Sequence, residues 1–212
     1  MRLLRVLTVM FFLPLSARAH FGTPFDGQVL EYGTRAPVAG AMVVARWLAT
    51  WHSPWQSSTE CGHVEVATTD VNGRFHIPFW TAHSLGFNVT MGGGPPEPPT
   101  SVYKTGYAYY DFPAYFDSPD YKQHVLFVKR FQGTREERLE HIHSLAGKEC
   151  GSRDDYAKKL IPLYRALYNE ARSIAVTQEE KHTAGDLHYS LDRLEFGDDA
   201  SLKRLSAGAY EK

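Results

Sequence analysis

This chain of 212 residues has few cysteines, no large excess of either charge and few long hydrophobic runs. Two cysteines are too few for a disulfide-dense miniprotein or a cysteine-based zinc finger. The 23 basic and 24 acidic residues nearly cancel, so no strongly positive surface, and hence no nucleic-acid partner, is expected. With 43% hydrophobic and 22% charged residues, the composition is that of an ordinary globular protein.

The first nineteen residues contain the three parts of a secretory signal peptide. Arg2 and Arg5 provide a positive end, residues 6–15 carry no charge, and Ala17-Arg-Ala19 places small residues before a cleavage site. The uncharged run is half the roughly 20 apolar residues that a membrane-spanning helix needs. We therefore predict cleavage near Ala19 and a periplasmic or secreted protein without a transmembrane segment in the mature chain.

Short strand-like runs separated by turns fill the chain from residue 25 to about residue 131. The run Ala41–Trp47 is apolar and rich in valine, as expected of a strand buried on most sides. The segment Asp70-Val-Asn-Gly73 has the residues of a hairpin turn, and Phe75, Ile77 and Phe79 alternate with other residues after it. Six or seven such runs predict a β-sandwich over residues 20–132.

After Gln132 the hydrophobic period becomes that of helices. Thr134-Arg-Glu-Glu137 and Thr177-Gln-Glu-Glu180 have the form of capping boxes, and Pro162 suits a first helical turn. Apolar stripes follow these starts: Leu139, Ile142 and Leu145; Tyr164, Leu167, Tyr168 and Ala171; Leu187, Leu191 and Leu194. The predicted fold is therefore mainly β, a sandwich of about seven strands followed by two to three α-helices in residues 133–196 and a flexible tail in residues 197–212.

Three segments together resemble a known family. They are Ala36-Pro-Val-Ala-Gly-Ala-Met-Val-Val44, Val66-Ala-Thr-Thr-Asp-Val-Asn-Gly-Arg-Phe75 and Tyr103-Lys-Thr-Gly-Tyr107. Their pattern is similar to that of carboxypeptidase regulatory-like domains of the transthyretin-like superfamily, as found in exported bacterial proteins. The resemblance implies an Ig-like or carbohydrate-binding-like sandwich. It also implies a module that is usually non-catalytic. Together with the predicted export and the lack of a convergent catalytic set, this leads us to expect a binding or envelope-structural role, with an envelope protein or a glycan as candidate partners.

Export gives the two cysteines a meaning. In an oxidising compartment two lone cysteines are more often bridged than free, so Cys61 and Cys150 are expected to form a disulfide. The alternative is a nucleophilic Cys61, for which His63 would be the nearby base.

Metal binding is the main alternative to a purely binding or structural role. Cleavage after Ala19 would expose His20, whose amine and imidazole suit copper; the candidate further ligands are His52, His63 and His83. Intradiol ring-cleaving dioxygenases, which share the expected fold, bind iron through two tyrosines and a His-x-His pair. The residues of this chain that resemble that order are Tyr103, Tyr107, Tyr109, Tyr110, His141 and His143. The two histidines of that pair fall inside a predicted helix, where side chains two residues apart point about 200° apart. They are therefore not expected to share an ion.

The abundance of aromatic residues suggests a third function. Rings exposed in loops, with Trp51, Trp55, Tyr107 and Tyr109 as candidates, could stack on sugars and make the chain a carbohydrate-binding module. The competing interpretation is that these rings fill the core or the sandwich–helix interface.

Overall fold

The computed structural model describes residues 20–82, 89–92, 100–109, 124–146 and 155–206. The strands are β1 (His20–Gly22), β2 (Phe25–Glu31), β3 (Met42–His52), β4 (Ser57–Thr68), β5 (Arg74–Ile77), β6 (Trp80–Ala82), β7 (Val89–Gly92), β8 (Thr100–Tyr103), β9 (Tyr107–Tyr109) and β10 (Val125–Arg130). The helices are α1 (Arg135–Ala146), a 3-10 helix (Asp155–Leu160), α2 (Ile161–Ile174), α3 (Gln178–Phe196) and α4 (Asp198–Ser206). The described strands and helices are of similar total length, so the fold is mixed α and β rather than a plain sandwich.

The strands form two larger sheets and one small ribbon. The first sheet has the order β5-β2-β10-β9, and the second has the order β4-β3-β7 with β8 also paired to β3. Apolar side chains from both sheets meet in one core, to which Val29, Val43, Phe75 and Val128 belong. Strands β1 and β6 pair with each other as a separate ribbon. The prediction of strands followed by helices is confirmed in outline, whereas the Ig-like or transthyretin-like topology stays a prediction.

The second sheet is the middle layer of the molecule. Its other face packs against the helices, where Val44 and Val64 join Leu163 and Leu167 in a second core. Strand β3 alternates between the two cores, with Val43 in one and Val44 in the other. This double burial explains why residues 41–47 read as almost continuously apolar, and it confirms the prediction for that strand.

Both predicted capping boxes are present. The backbone amide of Thr134 donates to Glu137 at 2.7 Å and the amide of Glu137 donates to the Thr134 hydroxyl at 3.2 Å, ahead of α1. Thr177 and Glu180 form the same reciprocal pair at the start of α3. Pro162 lies in the first turn of α2. Local sequence therefore determines where these helices begin.

The C-terminal region is more ordered than the predicted flexible tail. Residues Asp198–Ser206 form α4, in which Ser201 is buried. Arg204 donates to the buried Asp192 of α3 at 2.6 Å, so α4 folds back on the helix before it. Residues 207–212 of the predicted tail lie outside the described residues.

The turn at Asp70–Gly73 forms as expected, but it does not close a hairpin. Asp70 Oδ1 accepts the backbone amides of Asn72 and Arg74, each at 2.8 Å, and Gly73 has a φ of 72°. The strands on either side belong to different sheets, because β4 pairs with β3 and β5 pairs with β2. The hairpin prediction was wrong because the turn residues set the local bend and not the partner of the strand that follows.

Candidate functional site

The most exposed aromatic ring among the described residues stands on the connection between β3 and β4. These strands pair from Met42–Thr68 to His52–Ser57, with a register shift between Trp47 and Leu48. We call residues 48–61, the part beyond that shift, the arm. Trp55 lies in its turn and is 93% exposed, whereas Trp51 on β3 is half-buried. Of these two predicted stacking residues, only Trp55 is largely exposed to solvent.

Hydrogen bonds within the turn hold Trp55 on a defined backbone. The Ser53 amide donates to the Gln56 carbonyl at 2.9 Å, and the Ser53 hydroxyl donates to the same oxygen at 2.7 Å. The Gln56 amide donates back to the Ser53 hydroxyl at 3.1 Å. A partner that binds Trp55 therefore pays little for ordering the backbone of this turn.

One face of the arm is lined by hydroxyl and imidazole groups. Thr50 and Thr59 lie opposite each other with their hydroxyl oxygens 3.0 Å apart. His52 Nδ1 lies 3.2 Å from the Ser57 hydroxyl in the next pair on that face. Each hydroxyl can make more than one hydrogen bond, so this face retains capacity for a ligand.

A second cluster surrounds His63 at the base of the arm. The imidazole of His63 stacks on the indole of Trp80, with ring centroids 3.9 Å apart and an angle of 13°. The edge of Trp47 packs against the same indole, with centroids 5.1 Å apart. His63 Nε2 lies 2.9 Å from Glu65 Oε1, which Lys159 of the 3-10 helix also contacts. His63 is thus part of a packed polar cluster.

The hydrogen bonds around Glu65 determine its charge state. Burial raises the pKa of Glu65, but the hydrogen bonds from His63 and Lys159 outweigh burial and leave the pKa below its usual value. Glu65 therefore stays ionised and ties β4 to the 3-10 helix beside it. Sequence analysis missed the contact of His63 with Glu65 and that of Glu65 with Lys159. The period of two along a strand could have identified Glu65, whereas no local pattern points to Lys159.

The N-terminal strand lies against this cluster. The ribbon pairs His20 with Ala82 and Gly22 with Trp80. A Cβ atom at Gly22 would lie only 1.9 Å from Trp80 Nε1, so the strand fits over the indole only because residue 22 has no side chain. This close fit fixes the backbone of the predicted mature N-terminus.

The predicted copper ligands are distributed unevenly. His52 lies on the arm. His63 pairs with Trp47, and Trp47 lies five residues before His52 along β3, a distance of about 16 Å. His52 and His63 therefore do not share an ion. His83 lies outside the described residues and follows Ala82 in the sequence. Within the described residues, no group of three histidine, cysteine or carboxylate side chains is placed to hold a metal.

The predicted iron ligands that the structure describes contact other groups of the protein. The Tyr103 hydroxyl donates to Glu170 at 2.6 Å, and the Tyr107 ring lies under the Arg130 guanidinium, 5.3 Å from ring centroid to Cζ. Tyr109 pairs with Val128 through its backbone. His141 packs near Phe131 and His143 is exposed, both on α1 as the sequence predicted, and Tyr110 lies outside the described residues.

Tyr103 belongs to a buried network that sequence analysis did not identify. Arg138 of α1 donates to both carboxylate oxygens of Glu170 on α2, at 2.8 and 2.9 Å. Arg138 also donates to the carbonyl oxygen of Tyr107, and the amide of Gly106 donates to Glu170. This network fastens the helices to the second sheet and to the β8–β9 turn.

The network shifts the pKa values of Tyr103 and Glu170 in opposite directions. Burial raises the pKa of Tyr103 far above its usual value, and its hydrogen bond to Glu170 adds to the effect. Burial also raises the pKa of Glu170, but hydrogen bonds from Arg138 and Tyr103 reverse this and bring the pKa below its usual value. Tyr103 thus stays protonated as a donor, and Glu170 stays ionised as an acceptor.

Cys61 is buried at the base of the arm and is not a free thiol. Cys150 lies outside the described residues, so the bridge between the two cysteines stays a prediction. No helix among the described residues combines the length and apolar character needed to cross a membrane.

Comparisons with protein-family models, with curated proteins and with solved structures found no match to this chain. The resemblance to carboxypeptidase regulatory-like domains therefore rests on the sequence motifs.

Proposed function

We propose that this protein is an exported module of the carboxypeptidase regulatory-like type that acts by binding a partner rather than by catalysis. In this proposal the two sheets and the helices are a scaffold, and the tip of the arm is the contact surface. The observation that carries the proposal is the 93% exposure of Trp55 on a hydrogen-bonded turn. Tryptophan is enriched among the residues that contribute most to binding energy at interfaces, so an exposed tryptophan on an ordered turn favours a role in recognition.

Fractionation and sedimentation test this proposal. The chain is produced with residues 1–19 in a bacterial host, and the exported form is identified by its N-terminal sequence, which is expected to begin at His20. Purified mature protein is then sedimented with envelope fragments. We expect Trp55→Ala to reduce the bound fraction severalfold. Val71→Ala is the matched control, because Val71 is 81% exposed on a different turn.

Two results would contradict the proposal. One is retention of the uncleaved chain in the cytoplasm. The other is envelope binding that Trp55→Ala leaves at the level of the Val71→Ala control.

Copper binding at the mature N-terminus is a second candidate function. It is favoured by the pairing of His20 with Ala82, which anchors the predicted terminus beside the residue that precedes His83. The amine and imidazole of His20 would provide the first two nitrogen ligands, a set that suits Cu(II). Because these nitrogens bind metal only when unprotonated, copper would be released as the pH falls.

A short N-terminal extension tests the copper proposal. Protein that begins at His20 is compared with protein that retains residues 15–19 before it, since the extension converts the amine of His20 into a peptide amide and moves the free amine five residues away. We expect about one copper per chain in the first form and a large loss in the second. His52→Ala is the control for binding at surface imidazoles. Equal copper in the two forms would exclude an N-terminal site.

A further inference from the structure

The arm carries one charged residue, at its base. Glu60 pairs with Ala49 there and is exposed. From Leu48 to Thr59 there is no Asp, Glu, Lys or Arg, although 22% of the chain is charged and a stretch of twelve residues would contain two or three at that average. The outer part of the arm around Trp55 therefore has no carboxylate, lysine or arginine with which to select a partner by charge.

The chemistry around Trp55 is that of hydroxyl groups and amides. Ser53 and Gln56 flank the ring in the turn, and Thr50, Ser57 and Thr59 lie on one face of the strands behind it. Beyond Trp55 itself, the arm exposes Leu48 as its only other large apolar residue, at 37%. One wide aromatic ring therefore stands in a neutral and hydrogen-bonding surrounding.

We infer that the ligand of the arm is a neutral polysaccharide, an inference that rests on the proposed binding function. The negative face of an indole attracts the weakly positive C–H groups on the flat side of a sugar ring. The hydroxyls of that sugar are matched by the hydroxyl and amide groups of the arm, each of which both donates and accepts.

Two other partners fit the arm less well. A bilayer surface is held by several apolar side chains together with basic residues that attract anionic lipid, and the arm has one fully exposed ring and no base. A protein partner is usually held by several aromatic residues together with arginine, whereas the arm has one fully exposed ring and no arginine.

Because the contact surface around Trp55 is small, we expect one copy of the protein to bind one sugar chain weakly. One ring and a few hydroxyls engage about one sugar unit, for which a dissociation constant of about 1 mM is expected. A polymer that presents many units to many copies of the protein would bind far more tightly through avidity.

The experiment measures binding of the mature protein to neutral hexasaccharides, namely β-1,4-linked glucose, α-1,4-linked glucose and β-1,4-linked N-acetylglucosamine, and to phosphatidylcholine vesicles. Tryptophan fluorescence and calorimetry report the soluble sugars, and sedimentation reports the vesicles. We expect saturable binding of at least one sugar. It should weaken about tenfold or more in Trp55→Ala, recover partly in Trp55→Phe, and stay unchanged in Val71→Ala.

Several results would overturn the inference: no saturable sugar binding up to about tenfold above the expected constant, sugar binding that Trp55→Ala leaves unchanged, or Trp55-dependent binding to vesicles alone. Sedimentation with envelope fragments separates the two claims. Loss of envelope binding in Trp55→Ala without sugar binding refutes the polysaccharide and leaves the proposed function in place. Envelope binding that does not depend on Trp55 refutes both.

Discussion

Arg138 and Glu170 form a two-point ion pair that is buried between helices α1 and α2, with each side chain less than a tenth exposed. The pair also receives Tyr103 from the second sheet. A carboxylate removed from water in this way is stable only while all its donors remain in place. The attachment of helices α1 and α2 to the second sheet therefore depends on the carboxylate of Glu170.

We expect Glu170→Gln to reduce the free energy of unfolding by about 3–5 kcal/mol, because it leaves the Arg138 guanidinium buried without a counter-charge. Urea unfolding monitored by circular dichroism measures the loss. Glu195→Gln is the matched control, since Glu195 pairs with the largely exposed Arg165 and its loss should cost about 1 kcal/mol or less. Similar losses in the two variants would contradict the importance given to burial.

A change at Gly22 should disturb the ribbon over Trp80. An alanine Cβ there would lie 1.9 Å from Trp80 Nε1, so either the indole or β1 must move. We expect Gly22→Ala to shift tryptophan emission to longer wavelength and to cost about 1–3 kcal/mol of stability. Thr23→Ala, at the exposed next residue, is the control. Unchanged emission in Gly22→Ala would show that β1 does not cover Trp80 in solution.

Acid should weaken the start of helix α3. Backbone amides of Thr177 and Val176, together with Arg135, lower the pKa of Glu180 to about 2 from a usual value of 4.5. A depressed pKa in the folded state contributes stability above pH 4.5, and this stability is lost as the pH falls from 4.5 towards 2. Glu180→Gln should therefore flatten the decline of the urea midpoint in this range. The exposed neighbour Glu179→Gln serves as the control, and parallel declines in both variants would refute the assignment.

The bend between the two sheets should depend on Asp70. Its carboxylate accepts two backbone amides, those of Asn72 and Arg74. We expect Asp70→Ala to cost about 1–2 kcal/mol, a range reduced from that of buried bonds because the turn is exposed. Val71→Ala changes the same turn without touching these bonds and should stay within about 0.5 kcal/mol. Thermal unfolding of both variants measures the difference, and an equal effect would contradict the role of the carboxylate.

The features predicted correctly from sequence are those that depend on near neighbours. Thr134 and Glu137 are three residues apart, and so are Thr177 and Glu180, so the backbone of one turn brings each pair together. The burial of residues 41–47 was likewise predictable, because a strand between two apolar layers has no polar face.

The features that were missed depend on residues distant in the sequence. Arg138 and Glu170 are 32 positions apart, and nothing local to either residue indicates the other. Helix α4 was predicted as a loose tail because its stability comes from contacts such as that of Arg204 with Asp192 and not from a hydrophobic stripe. Sequence analysis gave Trp51 and Trp55 as equal candidates. Only the fold shows that Trp55 is exposed and that Trp51 is half-buried.

Strand β3 joins the middle layer to the most exposed ring of the described residues. One half of the strand lies between two apolar cores, and the other half runs out into the arm that ends near Trp55. Mechanical load applied at the tip would pass along β3 and its partner β4 into the middle layer, which has an apolar core on each side. A hairpin rooted in this way resists being peeled away from its own scaffold when it is pulled.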